Sequence, residues 1–240
     1  MNTKDLFNLS NLPNGELKTW LEGFDNPLDI LKNLNSRFDD LKGQTIHGSV
    51  EEGAYIYGNV FIGEGSVIHS GVVIEGPVII GKNVSVRPHS NLRKGVYLCD
   101  DCVIGHGADI KHTLALPGAK IQDGTFAGDS LLGFGARVGS GTILANRKFN
   151  QTNIKVKLGD EVTDSGLDFF GAILGDYVRL AANVITSPGT VIGAHTWTGS
   201  GVVLQGTYEE DQLITAKQEL EIRPKSRTEL KSGAGEYEHI

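Results

Sequence analysis

Residues 50–110 read VEEGAYIYGNVFIGEGSVIHSGVVIEGPVIIGKNVSVRPHSNLRKGVYLCDDCVIGHGADI, and this stretch decides the fold. Stepping in sixes gives Val50, Ile56, Ile62, Ile68, Ile74, Ile80, Val86, Leu92, Leu98, Ile104 and Ile110. Val, Ile and Leu fill 61 of 240 positions, so an unbroken run of eleven lies far outside chance. Four places after each stands Ala54, Val60, Ser66, Val72, Val78, Val84, Ser90, Val96, Cys102, Ala108 or Leu114, all but the last small or valine. Glycine often follows the aliphatic, as at Gly63, Gly81 and Gly105. A period of six suits neither a helix at 3.6 nor an alternating strand at 2. It predicts a strand, a corner and another strand, with the aliphatic inside, the small residue at the tight inner corner, and glycine where the backbone bends. Stacked coils bury one apolar column, each hydrogen-bonded to the next. The expected class is therefore all-β, a parallel β-helix.

Working outward, the register slips after Leu116 and resumes at Leu132, Val138 and Leu144. A polar excursion over 146–173 interrupts it, and the hexads return at Leu174, Leu180, Thr186, Ile192, Thr198 and Leu204. Insertions in a strict solenoid commonly carry function. Ahead of the repeat, Asn26-Pro27 followed by Leu28, Leu31, Phe38 and Leu41 predicts a capped amphipathic helix. We expect residues 1–45 to cap the open end, 46–207 to form the β-helix, and 208–240 to be a charged tail, mobile over SRTELKSGAGEYEHI (226–240).

The net charge of −7 argues against a nucleic-acid partner. No run of 18 apolar residues is present, so no membrane span is expected. The opening MNTKDLFNLSNLPNG has acids and asparagines where a signal peptide needs a basic start and an apolar run, so a cytoplasmic protein is expected. Cys99 and Cys102 have redox-type spacing, but they lie in a strand pattern rather than at a helix N-terminus, and a structural role is expected.

Hexads of this kind resemble the left-handed β-helix superfamily, mostly trimeric acyltransferases. More narrowly, GHGADIKH (105–112), GAKIQDGTFAGDSLLGFGARVGSGTILANRKF (118–149), LDFFGAILGDYV (167–178) and AKQELEIR (216–223) resemble the C-terminal domain of bifunctional sugar-1-phosphate nucleotidylyltransferases that also acetylate glucosamine-1-phosphate. The likeness covers about residues 20–223, without the nucleotidylyltransferase domain, for which 45 residues leave no room. It implies a left-handed coil, a homotrimer with sites at its seams, acetyl-CoA or another acyl-CoA as co-substrate, a sugar phosphate or nucleotide sugar as ligand, and no metal. Arg93 in NLRKG and Lys111 in DIKH match the family's phosphate contacts, and Asn146 in LANRKF matches an asparagine beside the amine. Gly139, Ser140 and Ala145 match the small residues along which the pantetheine arm lies.

This sequence departs from the pattern at the chemistry itself. The family's catalytic histidine is Asp123 here, a tyrosine three places on is Phe126, and an asparagine facing the sugar is Arg137. Asp123 is either a new base or a corner aspartate capping backbone amides; a carboxylate of pKa about 4 is a poor acceptor for an ammonium proton. His106 and His112 flank the region and are the other candidates for the missing base. Three classes stay open: an acyltransferase, a related binding or scaffolding subunit without catalysis, and a carbonic anhydrase of the β-helical zinc type. The last needs three converging histidines, whereas His106 and His112, one hexad apart, belong on different faces.

Overall fold

The hexads wind into a left-handed parallel β-helix in a computed structural model that describes residues 1–158 and 162–224. Three ladders of short parallel strands form its faces. On the first face Val60 pairs Val78 and Val78 pairs Val96, a coil of 18 residues. The second face runs through Tyr55–Val73–Asn91–Asp109–Phe126–Ile143–Ile185–Val203. The third runs through Ser49–Val67–Ser85–Val103–Lys120–Arg137–Arg179–Trp197–Leu213. Both repeat positions point inward: Ile62, Ile68, Ile74 and Ile80 are fully buried, as are Val60, Ser66, Val72 and Val78.

The slip expected after Leu116 begins earlier, after residue 110, and has a simple cause. Strands Asp109–Ala115 and Phe126–Leu132 run unbroken around the corner between the second and first faces. That corner is one residue shorter than elsewhere, so Tyr97 pairs Leu114 and Leu114 pairs Leu131, a coil of 17 residues. Ala115 therefore takes the inner position expected of Leu116, and Leu114 faces outward instead of filling an inner corner. After the excursion Leu174, Thr186, Ile192 and Leu204 are inward and buried as expected. Strand pairing continues past the expected boundary at 207, with Leu213 and Ile214 beside Trp197 and Thr198. The stretch 226–240 read as a mobile tail lies outside the described residues.

The N-terminal segment does not close the open end. Helices Thr3–Leu6, Glu16–Glu22 and Pro27–Asn33, the last capped by the Asn26 side chain, lie along the outside of the first face. The reason is in the outward rungs of that face. They are Ile79, Tyr97, Leu114, Leu131, Ile173 and Val191, an apolar column that would otherwise meet water. Leu6, Leu21, Leu28, Ile30, Leu31 and Leu34 cover it. The end itself stays open: the inward Ile46 and Val50 of the first coil are 40% and 38% exposed. The excursion joins the covering layer through Ile154, Val156 and Phe170, and the Met1 ammonium donates to the Leu158 carbonyl at 3.0 Å.

Candidate functional site

The unbroken corner carries the chemistry-bearing residues. His112 (φ 41°) and Asp129 (φ 50°) occupy its bend in successive coils, and the register places Lys111 beside Gly128 and Thr113 beside Ser130. His112 therefore sits directly against Asp129. Two glycines make the room: a Cβ at Gly95 would lie 2.9 Å from His112 Cδ2, and one at Gly128 would lie 2.6 Å from Asn146 Nδ2.

Asp129, only 5% exposed, gathers its neighbours. His112 Nδ1 is 3.1 Å from Oδ1, Asn146 Nδ2 donates to Oδ2 at 2.6 Å, and Lys111 Nζ is 3.3 Å from Oδ2. In the tautomer whose Nδ1–H donates to the carboxylate, the Nε2 lone pair is turned away from Asp129, the arrangement a general base needs. No protein group among the described residues bonds Nε2, and the ring keeps 23% of its side-chain surface. The root of the excursion closes over the same place. Arg147 bridges Phe169, and the Phe170 N–H donates to the Asn146 carbonyl at 2.9 Å. Lys111 Nζ and the Arg147 guanidinium both lie against the Phe169 ring, 4.2 and 4.8 Å from its centroid. Arg93 stands one coil away, its Nη2 donating to Asp109 Oδ2 at 2.9 Å and its guanidinium 5.8 Å from the Phe126 ring.

The other expected site residues lie apart. Asp123 occupies the corner between the third and second faces, and its Oδ1 accepts the His106 backbone N–H at 2.8 Å. The same geometry recurs at a different corner. There Asp100 accepts from Lys82 N–H at 2.7 Å, and Asp176 accepts from Phe134 N–H at 2.9 Å. In each case the carboxylate sits over a glycine of the preceding coil, where a Cβ at Gly105, Gly81 or Gly133 would come within 2.6 Å of it. Asp123 thus has the contacts of a capping residue. His106 is exposed, its ring edge-on to His89 at 5.4 Å. Gly139 and Ser140 share the Asp123 corner, and a Cβ at Gly139 would meet Ala181 at 2.5 Å. Arg137 faces outward on the third face and donates to Gln122 Oε1 at 3.2 Å. Ala145 adjoins Asn146, its N–H donating to Thr186.

One chain therefore brings together Arg93, Lys111, His112, Ala145 and Asn146. It holds His106, Asp123, Gly139 and Ser140 at the neighbouring corner, with Arg137 on another face. The reason is the period itself, since residues six apart fall on successive corners. Asp129, Arg147 and Phe169 were not singled out in the sequence. Asp129 stands 17 places after His112, one short coil, and that spacing was the available signal. Phe169 meets Lys111 only because of how the excursion folds back.

Cys99 and Cys102 are buried free thiols, at 4% and 0% exposure. Burial pushes both upward in pKa, Cys102 to about 12. Among the described residues no three His, Cys, Asp or Glu side chains converge as metal ligands, and no helix is long and apolar enough to cross a membrane. A cavity of about 740 Å³ lies away from the Asp129 corner, between residues 12–18 and the Phe61–Ile79–Tyr97 rungs, and holds none of the expected site residues.

Residues 74–208, more than half of the chain, match the family model described as the GMPPB C-terminal domain. A protein of Methanococcus maripaludis named bifunctional protein GlmU is 32% identical over 222 residues, 92% of this chain and 54% of that protein. A bifunctional sugar-1-phosphate nucleotidylyltransferase/acetyltransferase of Sulfurisphaera tokodaii is 34% identical over 178 residues, 74% of this chain and 44% of that protein. The chain thus spans about half the length of these curated relatives. Among solved structures, a UDP-N-acetylglucosamine acyltransferase from Campylobacter jejuni aligns over 72% of this chain and 68% of its own, at 16% identity and a TM-score of 0.37. By the extent of the family match, the chain belongs to the GMPPB C-terminal domain family of hexapeptide-repeat β-helices.

Proposed function

We propose that this protein transfers an acyl group from a CoA thioester to an amine on a phosphate-bearing sugar, with His112 as the base that replaces the histidine lost at Asp123. The observation that carries the reading is the His112 Nδ1–Asp129 Oδ1 contact of 3.1 Å, which orients the imidazole and leaves Nε2 bare. In the reaction the amine nitrogen bonds to the thioester carbonyl carbon, His112 Nε2 takes a proton from that nitrogen, and the C–S bond breaks. The imidazolium then returns its proton to the departing thiolate. Asp129 stabilises the imidazolium, and Asn146 and Lys111 hold Asp129 in place. Lys111 and Arg93 are paired with Asp129 and Asp109, while Arg147 bonds only the neutral Gln151 amide among the described residues, so the corner keeps one cation in excess, which suits an anionic acceptor. The name of the Sulfurisphaera tokodaii relative, which couples sugar-1-phosphate chemistry to acetyl transfer, favours the same acceptor class.

The reading includes a homotrimer. In this reading the seam sets the corner holding Gly139 and Ser140 in one copy against the Asp129 corner of the next. The outward Ile143, Ile185 and Val203 of the second face, 42%, 41% and 67% exposed, supply apolar surface for such a seam. Light scattering on a size-exclusion column then gives three times 25.8 kDa.

The test is thiol release from acetyl-CoA with glucosamine-1-phosphate, glucosamine and no acceptor. Turnover that requires the phosphorylated amine is the expected result. Binding of the sugar phosphate without any thiol release would overturn the proposal in favour of a non-catalytic ligand-binding or scaffolding subunit.

A further inference from the structure

The apolar outer side of the first face is sealed along only part of its length. Leu114 and Leu131 are 2% exposed, and Ile173 and Val191 are fully buried beneath the covering layer. The rungs of the three preceding coils, Phe61, Ile79 and Tyr97 in direct register, stay half-buried. Here the segment 12–18 stands off from the sheet and forms the opposite wall of the cavity of about 740 Å³. The adjoining corner is hollowed as well. One position of it holds His47, Gly63, Gly81 and Cys99 in successive coils. A Cβ at Gly63 would lie 2.5 Å from the Gly81 carbonyl oxygen, and one at Gly81 would lie 2.4 Å from Asp100 Oδ1. Neither position can carry a side chain, so nothing fills the space between the two flanking residues. Adjacent strands stand about 4.8 Å apart, which makes Phe61, Ile79 and Tyr97 a wall about 10 Å long.

We propose that this cavity is a second ligand site, for an uncharged and largely apolar small molecule carrying a flat ring. The proposal does not depend on the acyl-transfer reading, because the cavity lies away from the Asp129 corner. Its volume falls within the range of about 300–1,000 Å³ usual for small-molecule sites, which are mostly apolar with a few polar groups at defined places. Leu12, Pro13 and Leu17 supply apolar surface opposite the sheet, and the Phe61 and Tyr97 rings offer edges and faces to a ring between them. Charge at the rim points to a neutral occupant. Glu16 is paired with Arg37 at 3.8 Å, and the full charges left at the rim, Lys18 and Lys82 against Glu64 and Asp100, cancel. An ionised ligand would give up its hydration against the apolar wall with no excess of opposite charge to receive it.

Fluorescence titration of the full chain with N-phenyl-1-naphthylamine, an uncharged two-ring probe, tests the site. Its congener 8-anilinonaphthalene-1-sulfonate, which adds one negative charge to the same rings, tests the ligand class. Wild type should bind the neutral probe saturably, one per chain, with brighter and blue-shifted emission, and bind the sulfonate about tenfold more weakly. Ile79→Gln removes the middle of the apolar wall and should weaken the neutral probe about tenfold. Phe61→Ser, on the half-buried rung nearest the open end, should do the same and serves as the second variant if Ile79→Gln melts early, which is checked first. Leu213→Gln, on a third-face rung 72% exposed, should leave the affinity as in wild type. No saturable binding by wild type would overturn the proposal. So would wild-type affinity in the folded cavity variants, which would put the probe elsewhere on the surface. Sulfonate binding as tight as that of the neutral probe would overturn the assignment to an uncharged ligand.

Discussion

Replacing Asp123 by alanine separates the two roles that its position in the sequence allows. Its carboxylate accepts one N–H, from His106 at 2.8 Å, at an exposed corner, so the variant loses a cap whose donor can turn to water. Caps of this kind contribute about 0.5–2 kcal/mol, and exposure argues for about 1. In a chain of this size that lowers Tm by about 2–4 °C. Asp176 provides the calibrating comparison. It is 3% exposed and accepts from both Phe134 N–H at 2.9 Å and Asn8 N–H at 2.7 Å, tying the N-terminal segment to the coil. Asp176→Ala orphans two N–H groups in a buried place and should cost about 3 kcal/mol, a fall of roughly 6–12 °C. Fluorescence-monitored melting of the two variants, with thiol release on the same samples, gives the answer. Asp123→Ala should melt a few degrees low, far above Asp176→Ala, and keep wild-type turnover. An unchanged Tm together with a turnover loss of roughly 10²-fold or more would make Asp123 the base and refute the assignment to His112.

The remaining expectations are of the same kind. Leu131→Ala opens a hole beneath the N-terminal helices at a rung only 2% exposed and should cost about 2–5 kcal/mol in urea unfolding. Leu213→Ala, on a third-face rung 72% exposed and outside the proposed seam, should change stability by less than about 0.5 kcal/mol, and equal effects would contradict the covered-face description. Both thiols should resist iodoacetamide at pH 8 in the folded protein and react fully once it is unfolded. Because Cys102 is raised to about 12 when folded, its contribution is intact below the ordinary thiol value and is lost as pH rises through the window up to about 12. By pH 10 it costs about 2 kcal/mol, which Cys102→Val should remove, and a flat stability curve from pH 8 to 10 would argue against the burial. Asp129→Asn keeps the shape but loses the charge that orients His112, so kcat should fall while KM for the acyl donor holds; a KM effect alone would mean that Asp129 only shapes the surface.

The period of six was enough to define the coil because inward residues recur within a few places of one another. What the hexads hid is the outward surface. Tyr97, Leu114, Leu131, Ile173 and Val191 are separated by 17 to 42 residues and become one column only when the coil length, including its short corner, is known. The N-terminal helices were readable as amphipathic, yet their destination was not, since the apolar face they cover is assembled from these distant rungs. The site was legible in half. Lys111 and Asn146, matched by the resemblance, and His112, read as a flanking histidine, all contact Asp129, one coil on from His112, which no motif in the sequence marks. Arg147 and Phe169 depend on how the excursion returns to its root. At Asp123 the matching position leaves a base and a backbone cap both open, and the contact with the His106 N–H is that of a cap. A repeat makes every corner look alike, and only the neighbours from adjacent coils tell a capping aspartate from a catalytic one.

The central claim is that His112, held by Asp129, is the base. Its most direct test compares wild type with His112→Gln for thiol release at saturating acetyl-CoA and glucosamine-1-phosphate, with CoA affinity measured by calorimetry on the same preparations. The account predicts a fall in turnover of roughly 10²–10⁴-fold with CoA affinity unchanged. Equal turnover in the two proteins would contradict it.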